Sequence, residues 1–224
     1  MPSGSSKKKL MNYFESGFSV IYLSVVIISG IYLTFKSAAG SEAWQFGIMA
    51  LVLFAGDSCH LIPRILSQLS PSKKDYSTAL GLGKLAASIT MTIFYVLLWN
   101  IGVMHYQLQS VAWLWGPVSL LAALRLALCL APQNRWTGAE KSLKWPILRN
   151  IPFVLLGLAV MAAYAAGALI KHDGLSFMWL AIFISFACYI PVVLWSGKNP
   201  KIGMLMLPKS CAYAAIILMS FSLN

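Results

Sequence analysis

Acidic residues are scarce in this chain. Six carboxylates face 17 lysines and arginines in 224 residues, a formal net charge of +11. Charged residues of both signs make up only 10%, against roughly a quarter in a soluble domain. With a mean hydropathy of +0.75, that scarcity excludes an ordinary solvated globular surface. Cysteine is also sparse: Cys59, Cys129, Cys188 and Cys211 each lie in an apolar run, and no CxxC pair occurs. They read as reduced small hydrophobes, with no disulfide and no zinc knuckle. The three histidines divide between the two sides expected of the membrane, His60 on one and His105 with His172 on the other, so no three-ligand zinc site can form. No cofactor is expected. Long period-two alternation is missing, which excludes a barrel, and so is a GxSxG nucleophile motif.

What is abundant is apolar length. Seven runs can cross a bilayer at about 1.5 Å per helical residue: Gly17–Phe35, Trp44–Ile65, Ala79–Val103, Ser110–Ala131, Pro146–Ile170, Leu175–Trp195 and Ile202–Leu223. The sequence therefore predicts an all-α, seven-transmembrane helix bundle as one domain over residues 17–224, preceded by a short basic tail over residues 1–16. No small-residue cleavage site follows the first run, so that run reads as retained. Ser110 and Thr78 are expected N-caps.

The excess of positive charge is not gathered on one solvated face with aromatics between, as a nucleic-acid binder requires. It recurs in alternate connections: Lys7 to Lys9, then Arg64, Lys73 and Lys74, then Arg135, Lys141, Lys144 and Arg149, then Lys198 and Lys201. The other side has only Lys36 and Lys171, each with an acidic neighbour, Glu42 or Asp173. Positive charge is retained on the cytoplasmic side, so the N-terminus is expected in the cytoplasm and the C-terminus outside. A bacterial inner membrane is the expected location.

One stretch stands out, Gly56-Asp57-Ser58-Cys59-His60-Leu61-Ile62-Pro63-Arg64. On a helix Asp57, His60 and Arg64 project from one face. Each would cost several kcal/mol in hydrocarbon, so the face must look onto protein or water. The topology places further polar groups at similar depth: Lys84 and Ser88 in the third span, Arg125 in the fourth, Arg149 and Asn150 opening the fifth. Tyr189 follows late in the sixth, and Lys209 with Tyr213 early in the seventh. Convergence on one cytoplasm-facing cavity accounts for that depth. Pro63, Pro117, Pro152, Pro191 and Pro208 sit within or near the start of spans, where a freed carbonyl needs a protein or water partner.

Cations outnumber the carboxylate here, so an anion is expected among them. Phosphate suits arginine and lysine. Arg64, Lys84, Ser88, Arg125, Arg149, Tyr189, Lys209 and Tyr213 are the candidate ligand-binding residues, and membrane lipids and an anionic, phosphate-bearing ligand the expected partners. Asp57 and His60 are candidates for general base and general acid. The alternatives are a structural salt bridge from Asp57 to Lys84, Lys209 or Arg125, and headgroup contacts for Arg64 and Arg149. A retinal Schiff base on Lys209 lacks a counter-ion in the third span.

The pattern resembles the lysoplasmalogenase-like family of polytopic membrane proteins. The matching features are Gly56-Asp57, Gly81-Leu82, and the last two spans with Phe183-Ile184-Ser185, Pro200 and Ala212-Tyr213-Ala214-Ala215. Where that family carries a second aspartate, Ser185 is followed by Phe186, and the third span has residues such as Ile89 in place of a histidine. The chain also resembles a bacterial membrane family bearing Gly-Asp-x-x-His-Leu-x-Pro-Arg and Leu-Pro-Lys, which implies no activity. The first resemblance implies a hydrolase acting on a single-chain phospholipid. The residues alone leave open a proton-coupled anion or lipid transporter, or a lipid-binding protein without catalysis.

Overall fold

A computed structural model describes residues 4–70, 75–108, 113–138 and 143–223. Seven α-helices follow in order: α1 Gly4–Lys36, α2 Glu42–Leu69, α3 Ser77–His105, α4 Trp115–Leu130, α5 Lys144–Ile170, α6 Met178–Trp195 and α7 Met206–Met219. Short 3₁₀ turns at Pro132–Asn134, Pro200–Leu205 and Ser220–Leu223 complete the described structure, which holds no strand among the described residues. Six of the helical segments are long and apolar enough to cross a membrane. The fourth is shorter than expected. α4 has 16 residues, about 24 Å of helix; residues 113–114 before it are 3₁₀, and residues 110–112 of the expected run lie outside the described residues.

The two expected caps differ from the structure. Ser110 lies outside the described residues. Thr78 is inside α3, whose start is organised by Asp75, a carboxylate accepting both the backbone N–H (2.8 Å) and the hydroxyl (3.0 Å) of Ser77. Ser41 is the N-cap of α2 and accepts from the Trp44 N–H at 3.2 Å. Pro63, Pro152 and Pro191 lie inside helices, whereas Pro117 and Pro208 fall in first turns, where the missing N–H costs nothing. The residues before Gly17, set apart by the sequence as a basic tail, are continuous with α1 from Gly4.

The helices pack in chain order, and α1 also meets α7, which closes the bundle. Small residues set the closest approach, between α2 and α3. A Cβ on Gly83 would run into the Cys59 carbonyl, and one on Gly56 into the Thr90 side chain. With little hydrophobic drive between helices in lipid, such close backbone contact supplies the dispersion energy. It also fixes the Asp57 face of α2 beside the Lys84 face of α3. The middle of the bundle is a packed apolar layer of Phe46, Leu53, Phe94, Tyr95, Leu98, Ile101, Leu156 and Tyr164, each fully buried. Polar side chains therefore collect at its two ends.

Candidate functional site

At the end of the bundle formed by the C-terminus of α2 and the N-terminus of α3 lies a cavity of about 670 Å³. Asp57, His60 and Arg64 reach it from α2, and Lys84 and Ser88 from α3. Arg125 comes from α4, Arg149 from α5, Tyr189 from α6 and Lys209 from α7. Nine of the ten residues singled out by sequence thus share one wall. Tyr213 does not line the cavity. It is 2% exposed and supports Lys209 from behind, with its ring centroid 5.0 Å from the ammonium.

Arg125 is the most constrained of these groups. Its side chain is buried at 2% exposure, and its guanidinium carbon lies 3.4 Å from the Phe153 ring centroid. Nη1 donates to Asn150 Oδ1 at 3.4 Å, while Nε is buried with no hydrogen-bond partner. Asn150 is itself fixed. Its Nδ2 donates to the Pro146 carbonyl at 2.7 Å, and its Oδ1 also accepts the Tyr189 hydroxyl at 2.8 Å. A neutral amide thus orients the guanidinium, and it leaves the charge undiminished. Lys209 is held similarly, with Nζ 4.9 Å from the Tyr189 ring and 5.0 Å from Tyr213, in two cation–π contacts.

Arg149 sits at the rim. Its guanidinium lies 4.1 Å from the Trp136 ring, and Nη1 donates to Asn134 Oδ1 at 2.7 Å. Asn134, 2% exposed, ties the α4–α5 connection together by donating to the Ala131 carbonyl at 3.0 Å. Trp136 is anchored through Nε1 to the Cys129 carbonyl at 2.9 Å. Arg135 takes the left-handed conformation (φ 45°) that lets the chain turn between these two side chains.

The α2 stripe is divided in its partners. The Tyr22 hydroxyl, from α1, donates to Asp57 Oδ2 at 2.6 Å. His60 Nδ1 is buried without a hydrogen-bond partner, so Asp57 does not hold the imidazole through that nitrogen. Arg64 is neutralised by Glu15 of α1 at 2.8 Å, and Gln68 donates to the same carboxylate oxygen at 2.9 Å. The Ser88 hydroxyl donates to the Lys84 carbonyl at 2.8 Å, as helical serines do, and among the described residues no histidine or carboxylate is bonded to it. Among the described residues, Asp57 is the only carboxylate on the cavity wall.

Sequence reasoning missed Glu15, Tyr22, Asn134 and Trp136. It placed Asn150 at the right depth but gave it no role. A second polar cluster, at the opposite end, was missed as well. His105 lies between two carboxylates, with Nδ1 2.6 Å from Glu42 and Nε2 2.6 Å from Asp173. Lys171 pairs with Asp173 at 3.2 Å. Burial raises the Asp173 carboxyl, but hydrogen bonds from His105, the Leu175 N–H and Lys171 outweigh it and hold the group below its ordinary value. This cluster joins α2, α3 and the α5–α6 connection. Each nitrogen of His105 faces a different carboxylate, and among the described residues no group of three His, Cys, Asp or Glu side chains converges on a metal position.

No family model, curated protein or solved structure matches this chain.

Proposed function

We propose that the protein is an integral membrane protein that binds an anionic, phosphate-bearing lipid or metabolite in the cavity. The observation that carries this reading is Arg125, buried over Phe153 with Nε unpartnered and no carboxylate bonded to it. An unneutralised guanidinium in a low dielectric is costly, and an anion entering beside Nε removes that cost. Lys84 and Lys209 reach the same space, while Arg64, neutralised by Glu15, belongs to the frame of the site. The distribution of lysine and arginine supports a cytoplasmic side for the cavity. A helical bundle of this kind fits a bacterial inner membrane, since outer-membrane spans are barrels.

A second reading adds catalysis. His60 Nδ1 is buried and unpartnered one helical turn from Asp57, and both line the cavity. With the phosphate near Arg125 and Lys209, a bound substrate would present its scissile bond to this pair, as the resemblance to lysoplasmalogenase-like proteins implies. Asp57 would take a proton from the water that attacks the scissile centre, and His60 would give one to the leaving group as that bond breaks. Two measurements test these readings. Native mass spectrometry of the full chain, purified in mild detergent, is expected to show a retained phosphate-bearing adduct that Arg125→Gln loses. Only the catalytic reading also requires release of product from a lysophospholipid, abolished by Asp57→Asn. Loss of neither adduct nor activity in these variants overturns both.

A further inference from the structure

We infer that the ligand's head is a dianion, a terminal phosphate monoester or a diphosphate, carried on an apolar chain; a zwitterionic phosphodiester head does not fit. The inference rests on the anion-binding reading above and specifies its chemistry. Among the described residues, no carboxylate is bonded to Lys84, Arg125 or Lys209, and Asp57 is the one carboxylate that shares the cavity wall with them, because Arg64 is already paired with Glu15. The surplus is about two charges, and a head with a single negative charge leaves part of it unmatched beside the buried Arg125.

A zwitterionic head adds a quaternary or primary ammonium that must itself be received. Proteins receive such groups with open aromatic faces or with carboxylates. Here the aromatic faces are covered by the protein's own cations. Arg125 lies over Phe153 at 3.4 Å, Arg149 over Trp136 at 4.1 Å, and Lys209 over Tyr189 at 4.9 Å. Among the described residues the cavity wall has one carboxylate, Asp57, which already accepts from Tyr22. An incoming ammonium would meet like charge at every aromatic surface.

The apolar part of the ligand follows from size and lining. A cavity of about 670 Å³ has the capacity of pockets that hold drug-sized molecules, roughly 300–1,000 Å³, far more than a phosphate needs. Met91, Val192, Val193, Leu194 and Met206 supply its apolar wall. A chain lying along α6, with its head between Arg125 and Lys209, matches both halves of the surface.

Binding to the full-length protein in a neutral maltoside detergent, measured by native mass spectrometry and thermal shift, separates the possibilities. The probes are lysophosphatidic acid, a single-chain phosphate monoester, lysophosphatidylcholine of the same chain length, and inorganic phosphate. The monoester is expected to bind at least about tenfold more tightly than the choline ester, with Arg125→Gln removing the difference. Equal or tighter binding of the choline ester overturns the dianion inference and leaves the anion-binding proposal standing. Inorganic phosphate binding as tightly as the monoester overturns the apolar chain and assigns the site to a soluble anion. Binding of none of the three, in a sample with wild-type helicity and elution volume, overturns both.

Discussion

Arg125 and Asn150 meet as an ion and a neutral amide, Nη1 to Oδ1 at 3.4 Å, in a place where a carboxylate would have cancelled the charge. That choice leaves the buried guanidinium with no carboxylate bonded to it among the described residues. It also implies a stability cost in the protein without ligand.

Arg125→Met is therefore expected to abolish binding of phosphate-bearing amphiphiles while raising the thermal stability of the ligand-free protein. Replacing buried ionic groups by apolar ones of similar volume is often neutral or stabilising, by about 1–4 kcal/mol. Thermal unfolding in delipidated detergent samples measures it. A large loss of stability would mean that the guanidinium is internally compensated.

The Glu15–Arg64 pair serves the frame. With side-chain exposures of 15% and 33% it is partly screened, and its loss in Glu15→Gln is expected to cost about 1 kcal/mol or less. A double-mutant cycle with Arg64→Gln should return a coupling of that size, with ligand affinity nearly unchanged.

Asn134→Ala should cost about 1–3 kcal/mol, because it leaves buried carbonyls of the α4–α5 connection without a donor. It also removes the acceptor that orients Arg149. Ligand affinity should fall, whereas Asn134→Asp, which can still accept from Arg149 but cannot donate to the carbonyls, should lose the stability and keep Arg149 oriented. Unchanged affinity in Asn134→Ala would show that Arg149 takes no part in binding.

Gly83→Val is expected to separate α2 from α3, since the added atoms meet the Cys59 backbone, which cannot yield as a flexible side chain does. A cost of about 1–3 kcal/mol is typical of overpacking. The larger consequence is for the site, because Asp57 and Lys84 are placed by this contact. Cysteine crosslinking between the two helices would register the shift.

At the opposite end, Asp173 provides a pH dependence. Its carboxyl lies below the ordinary value in the folded protein. The stability it contributes is fully present above the unfolded carboxylate value, about 3.9, and is lost as pH falls through the folded value. Asp173→Asn should lower the melting temperature at neutral pH and flatten its decline on acidification. An unchanged decline would assign the acid sensitivity to other carboxylates.

The long spans and the α2 stripe were legible because helical spacing and hydrophobic length act locally. Asp57, His60 and Arg64 share a face whatever they pack against, and an ionisable stripe in a membrane span must turn inward. The ends of elements were less legible. α4 is short and Thr78 is not a cap, since caps depend on which competing side chain, here Asp75, reaches the first turn. The neutralising partners were not legible at all. Glu15 and Tyr22 sit on α1 within an outwardly ordinary run, and only tertiary packing brings them to Arg64 and Asp57. Counting would have helped, because with six carboxylates in the chain each one demands a partner. The asparagines carry no such signal, being common in loops and at helix ends.

The most direct test is a structure of the full chain, in lipid nanodiscs, at a resolution that shows side chains. Density of tetrahedral shape within hydrogen-bonding distance of Arg125 Nε and near Lys209 Nζ, continuing as a chain along Val192 and Met206, is the expected result. Arg125 turned away from the cavity, or paired with a carboxylate of the protein itself, would contradict it.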